Sequence, residues 1–372
     1  MKDNCEKKLE AAAAFDLRGP IRSCERYGSG HINDTFLAVC GEEGKEYRYI
    51  LQRMNHEVFK DIPGLMKNIQ GVTSFLRRQI LKDHGDPDRE TLNLVPTREG
   101  KDYYQDSLGN FWRVYLFIEG ASCYNLVEKP EDFYQSGKAF GRFQRLLADF
   151  PARELTETIP NFHNTPARFQ TFLKAVEKDE MGLAASVEKE IRFISRREQE
   201  MGLALRLQEE GKLPLRVSHN DTKLNNIMID DITGEALCII DLDTIMPGLS
   251  IFDYGDSIRF GANTAAEDEQ DLSRVSLSLP LFDIYTKGFL EGCGGRLTDT
   301  ELSLLPYGAK MMTLECGMRF LTDYLMGDVY FHISRPGHNL DRCRTQLELV
   351  ADMERKWEEM EEIVRVHSRR YC

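Results

Sequence analysis

Residues 217–243, VSHNDTKLNNIMIDDITGEALCIIDLD, decide the fold. They set His219, Asp221 and Asn226 in the spacing H-x-D-x-x-x-x-N, then give two short apolar runs joined by DITG, then a second acidic cluster at Asp241 and Asp243. NNIMID and ALCIID around that turn read as a two-stranded hairpin with polar residues at its ends. Phosphoryl transfer asks little covalent chemistry of a protein: one carboxylate to orient the attacking hydroxyl and accept its proton, and oxygen ligands to hold Mg²⁺ on the phosphates. Asp221, on a loop, suits the first task. Asn226 at the start of one strand and Asp241 at the end of the other suit the second, with Asp243 a further candidate, since Mg²⁺ takes oxygen ligands and few carboxylates. Asx-rich loops also cap turns with no catalytic role; the loop, the hairpin and the second cluster together read as a metal-phosphate site. His219 reads as a brace of the loop, and Asp253 and Asp256 in IFDYGDSIRF as braces or helix caps.

The rest of the chain frames this segment. At 372 residues it is long enough for two domains or lobes. Its 48 basic against 61 acidic residues give a net charge of −13, which disfavours nucleic acid as a partner and leaves no basic footprint for a membrane surface. Nine cysteines without a C-x-x-C pair read as reduced thiols. The N-terminal segment has too short an apolar run for a signal or a span, so a cytoplasmic protein is expected. FLAVC (36–40) and YRYILQR (47–53) read as a hairpin turning at Gly41 to Gly44, a helix is expected over about 65–82, and FWRVYLFIEG (111–120) reads as a buried strand. From about residue 120 the pattern is mostly helical, including a helix capped by Thr165 with Pro166 in its first turn. The expectation is an α+β chain with a nucleotide-binding lobe over 1–119 and a helical lobe over 120–372 that carries the catalytic loop and acceptor site, hinged near 119–123.

Gly28 and Gly30 in GSGHINDTF could let backbone amides approach phosphates, although a plain hairpin turn has the same pattern. The strand lysine that protein kinases pair with a helix glutamate is absent: Gln52 and Arg53 stand there, and residues 65–82 hold no glutamate. Arg53 offers a fixed charge and a planar fork for phosphate oxygens, while Gln52 lies on the opposite strand face.

These residues resemble the aminoglycoside phosphotransferase and choline kinase superfamily, and more closely the N-acetylhexosamine 1-kinases. The matching blocks are GSGHINDTF (28–36), YILQRMN (49–55), SHNDTKLNNIMID (218–230), IIDLDTIMPG (239–248) and CGMRFLTDYLMGDVYF (316–331). The resemblance implies a protein-kinase-like two-lobe fold, with a small antiparallel-sheet N-lobe and a mostly helical C-lobe. It also implies ATP and Mg²⁺ as cofactors and a small amino sugar as substrate, phosphorylated at its anomeric hydroxyl. It assigns Asp221 as base, Asn226 and Asp241 as Mg²⁺ ligands, Glu119 to the backbone edge that reads adenine, and Asn33, Asp221, Phe260, Arg319 and Tyr330 to the sugar. Two rival readings stay open: a kinase of an aminoglycoside, choline or neutral sugar, with the acidic run AAEDEQD (265–271) meeting a cation rather than forming a solvated helix face, and a nucleotide-binding protein without turnover. The C4 epimer, the need for the acetamido group and the oligomeric state are not legible. The C-terminal amphipathic segment reads as a core-packed helix.

Overall fold

Strands β1 (Ile21–Arg26), β2 (Asp34–Glu42) and β3 (Lys45–Met54) alternate buried and open side chains with the period of two that a one-sided sheet requires. With β4 (Leu94–Val95), β5 (Tyr104–Gln105) and β6 (Phe111–Leu116) they form an antiparallel sheet in the order β1-β2-β3-β6-β4, with β5 also on β6. The register pairs Phe36 with Leu51 and Ala38 with Tyr49, and Leu51 with Val114. That face packs with Ala11, Ala12 and Phe15, at and just beyond the end of an N-terminal helix, Lys2–Ala13, which the sequence reading did not anticipate. Thr35, Gln52, Arg113 and Tyr115 lie on the other face.

The computed structural model describes residues 2–28, 32–42, 44–124 and 129–371. The chain divides into two compact units, the first formed by residues 1–122, 153–159 and 228–246 and the second by the remainder. The first unit is discontinuous for a specific reason. Its helix Ile62–Lys82, capped by Asp61 on the Gly64 amide, buries Asn68, whose side chain bonds the Thr156 backbone on both sides at 2.8 Å and the Ile245 carbonyl at 2.9 Å. One amide thus stitches both distant segments to the helix. The hairpin strands are Ile227–Asp230 and Ala236–Ile239, and Arg89 anchors the end of the first by donating to Asp230 and to the Glu119 carbonyl.

The second unit is mostly helix. Pro130–Leu146 and Leu279–Cys293 cross at Gly137, Gly141, Gly288 and Gly292. A Cβ on Gly141 would lie 2.1 Å from the Phe289 carbonyl oxygen, and one on Gly288 would lie 2.2 Å from that of Tyr134, so the backbones touch. Two expectations are corrected. The helix Thr165–Lys178 is capped by Asn164, whose side chain accepts from Ala167, so Thr165 lies inside it. Residues 265–271 are loop rather than helix face, and Glu267, Asp268 and Glu269 are paired to Arg259, Arg335 and Arg274. The C-terminal segment divides into His338–Arg355 and Trp357–Tyr371, with Met360 in the core. No helix among the described residues is long and apolar enough to cross a membrane.

Candidate active site

In the second unit, Asp253 organises the loop that carries Asp221. Its sealed carboxylate accepts from the Ser218 hydroxyl at 2.8 Å, the His219 and Asn220 amides at 2.9 and 2.8 Å, and the Gln144 amide at 3.0 Å. Burial nonetheless pushes the Asp253 carboxyl above the usual range. His219 is fully buried, set edge-on to Phe140 and Phe143, and accepts from the Asp221 amide on Nδ1 at 3.3 Å, the bracing by hydrogen bond expected for it. Asn220 takes a left-handed backbone at φ 65°, which asparagine tolerates better than most side chains, and the next residue is Asp221.

Asp221 is held by two neighbours. Asn226 donates from its amide nitrogen to the Asp221 carbonyl at 2.8 Å and to the carboxylate at 3.0 Å. Lys223 ion-pairs with the other carboxylate oxygen at 2.7 Å. Burial opposes the Lys223 charge, but Asp221 and Asp256 outweigh it and the ammonium ends above its ordinary pKa. Asp256 accepts from the Thr222 amide at 3.1 Å and from Arg259. Burial raises its carboxyl, but Arg259, Lys223 and, more weakly, His163 bring it below the ordinary value. Sequence reasoning missed Lys223, although it stands inside the decisive motif two residues after Asp221.

In the first unit, Asp243 is a buried structural anchor. It is ion-paired to Arg113 of β6 and accepts from the Asn33 amide at 2.6 Å. Arg113 donates through Nε and Nη2 to Gln52 at 3.0 and 2.8 Å, and Gln52 donates to Thr35 at 3.0 Å. Arg113 was also missed, though a guanidinium in an otherwise apolar strand must find a partner. Two residues before Asp243, Asp241 is exposed, with a left-handed backbone at φ 58°.

The other expected residues fall as follows. Asn33 is engaged at both ends of its amide, since its oxygen accepts from the Asn55 backbone at 3.0 Å. Arg53 lies on the face opposite Gln52 and Arg113, with its fork on Asp34, so Gln52 and not Arg53 shares a face with the Asp243 network. Gly28 has φ 74° with open space where a Cβ would stand; Gly30 lies outside the described residues. Glu119 pairs with Arg48, which lies over Phe117 at 4.5 Å. In the second unit Phe260 is about one third exposed, and the Arg319 guanidinium lies 5.7, 5.8 and 5.4 Å from the rings of Phe162, Tyr330 and Phe331. Asp323 fixes the loop bearing Tyr330 by accepting three successive amides, Val329, Tyr330 and Phe331, at 2.8–2.9 Å.

Each unit offers an oxygen donor of the kind a hard cation takes. The Asn226 amide spends its donating end on Asp221, which leaves a carbonyl oxygen as acceptor, and the Asp241 carboxylate is exposed. Amide and carboxylate oxygens match Mg²⁺ rather than a soft metal.

Residues 23–281 match the phosphotransferase enzyme family. Similar solved structures include a microcompartment-associated aminopropanol kinase, 16% identical over 96% of this chain and 98% of that one with a TM-score of 0.59. A spectinomycin phosphotransferase in complex with ADP and spectinomycin is 16% identical over 95% and 98%, with a TM-score of 0.53. A choline kinase from Cryptosporidium parvum is 14% identical over 93% and 92%, with a TM-score of 0.52. The sheet-based first unit and helical second unit are those of the protein-kinase-like fold shared by these small-molecule kinases. With the family matched over residues 23–281, the braced loop of Asp221 has a plain reading: the chain belongs to the phosphotransferase enzyme family.

Proposed function

We propose that the protein is an ATP- and Mg²⁺-dependent kinase that phosphorylates the anomeric hydroxyl of N-acetylhexosamines, giving the sugar 1-phosphate. The observation that carries this reading is the loop around Asp221, held by Asp253 from behind and by Asn226 and Lys223 at its carboxylate. Asp221 orients the sugar hydroxyl and takes its proton as the oxygen bonds to the γ-phosphorus and the bond to ADP breaks. Lys223, fixed beside it, offsets negative charge on the transferring group. Asn226 and Asp241 would supply oxygen ligands for Mg²⁺, which when bound would neutralise charge on the phosphates.

Two observations favour an uncharged acetamido sugar over a cationic acceptor. Arg319 sits among aromatic rings with no carboxylate ion-paired to it among the described residues, and a cation would be repelled there. The carboxylates of residues 267–269, the rival cation site, are occupied by arginines. The missing strand lysine does not favour a protein without turnover, because Arg113 supplies a buried positive charge beside Asp243.

The test is ADP release with ATP and Mg²⁺ across GlcNAc, GalNAc, glucose, galactose, choline and kanamycin, with mass spectrometry of the product. Turnover on the acetamido sugars, lost in Asp221→Ala, is expected. Turnover on another acceptor alone would discard the sugar and keep the chemistry.

A further inference from the structure

Beside Arg319 the second unit holds a second guanidinium that the sequence did not single out. Arg168, on the helix Thr165–Lys178, donates one weak bond among the described residues, from Nη2 to the Phe162 carbonyl at 3.3 Å. Its buried Nε has no partner among the described residues. Phe162 links the two cations, since its carbonyl meets Arg168 and its ring lies under Arg319. Desolvation and then the nearby Arg319 charge depress the Arg168 pKa, and the opposing charge of Glu315 does not offset them, as expected of two cations held close beside a single acid.

The acid nearest this pair is already engaged. Glu315, 2% exposed at its side chain, accepts from His163 Nδ1 at 2.9 Å and from the Thr165 hydroxyl at 2.6 Å. The other ring nitrogen of His163 is, like Arg168 Nε, buried without a partner. Leaving buried polar atoms unpaired is costly, and here two, the Arg168 Nε donor and His163 Nε2, belong to residues flanking the Phe162 ring, on the same unit as Asp221. The cluster reaches toward the Asp221 loop through His163, whose ring lies 5.6 Å from that of Phe252, the neighbour of the loop's brace Asp253.

We propose that Arg168 and Arg319 together form a subsite for an acyl oxygen of the acceptor, an amide carbonyl or a carboxylate. Arg168 is then a specificity-determining residue. Guanidinium forks match planar, strongly accepting oxygens, and the rings of Phe162 and Tyr330 give the adjoining carbon skeleton an apolar face. The subsite selects against acceptors that offer an amine or only hydroxyls. This rests on the kinase reading above and narrows its substrate class.

The test measures kcat and KM for GlcNAc, glucuronic acid, glucosamine and glucose with the wild type, Arg168→Gln and Arg168→Lys. The expected result is that Arg168→Gln raises KM about tenfold or more for the acyl acceptors relative to glucose, and that Arg168→Lys recovers part of the loss. Turnover of glucuronic acid in place of GlcNAc would remove the acetamido sugar but keep the subsite. Equal use of all four sugars by the wild type, no use of either acyl acceptor, or a KM ratio unmoved by Arg168→Gln would overturn the subsite. Thermal unfolding of each variant separates this readout from a folding defect, which would lower activity on every acceptor alike.

Discussion

Arg113 and Asp243, 130 residues apart in sequence, form an ion pair whose side chains are 1% and 3% exposed. Burial alone would suppress the Arg113 charge, but with Asp243 alongside, its guanidinium ends above its ordinary pKa. Gln52 and Asn33 take remaining donors and acceptors, the condition under which a buried pair is tolerated.

Breaking this pair from one side leaves an uncompensated buried charge. Arg113→Met is expected to destabilise the protein by about 3–5 kcal/mol, read from urea unfolding. The double variant Arg113→Met/Asp243→Asn should recover part of that loss, and strict additivity of the two single changes would contradict the coupling.

Lys223 touches the Asp221 carboxylate without being the base. Lys223→Met should lower kcat by roughly 10²-fold, with nucleotide affinity changed much less. Equilibrium binding of a fluorescent ADP analogue checks the second half; a large loss of nucleotide affinity with normal kcat would place Lys223 elsewhere in the cycle.

Asp230 contributes an acid-sensitive contact. The Thr233 amide, then Arg89 and the Ile232 amide, hold its carboxyl down to about 2 against an ordinary 3.8. The folded value is depressed, so the stabilisation is complete above the ordinary value and is lost as the pH falls from about 4 toward 2. The stability gap between wild type and Asp230→Asn should therefore close over that interval in acid unfolding curves, and a gap constant from pH 6 to pH 2 would exclude the carboxylate as its source.

The glycine crossing admits no extra atom. Gly141→Ala is expected to cost at least about 1–3 kcal/mol, because the new methyl would meet the Phe289 carbonyl. Gly202→Ala, where the nearest atoms belong to the flexible end of Arg206, should cost far less. Thermal unfolding of the two variants side by side decides it.

Sequence made the hairpin and the Asp221 loop legible because both are local: strand period, turn chemistry and Asx spacing lie within 27 residues. Asp253 was legible as a brace or helix cap from the acidic pair in IFDYGDSIRF, although its partners Ser218, His219 and Asn220 lie 33 to 35 residues earlier. Arg113 and Asn68 were not, since their partners Asp243, Ile245 and Thr156 are distant in the chain and spacing carries no signal for such contacts. Arg53 was favoured over Gln52 on chemistry alone, and the β3-β6 register that sets Gln52 against Arg113 is a tertiary fact. The 265–271 loop misled because a charged run has the composition of a solvated helix, whereas its carboxylates are ordered by arginines from other segments.

The discontinuity of the first unit also bears on how the chain is made. A ribosome delivers Arg113 well before Asp243, an interval on the order of ten seconds at ordinary elongation rates. Throughout it the nascent sheet lacks the counter-charge that lets Arg113 be sealed, and the helix Ile62–Lys82 lacks the Ile245 carbonyl that Asn68 binds. The N-terminal sheet therefore cannot complete its packing vectorially and must wait, exposed, until residue 246 has emerged. A truncated chain ending at residue 122 should accordingly engage chaperones and protease, while one extended to 246 already holds every segment of that unit.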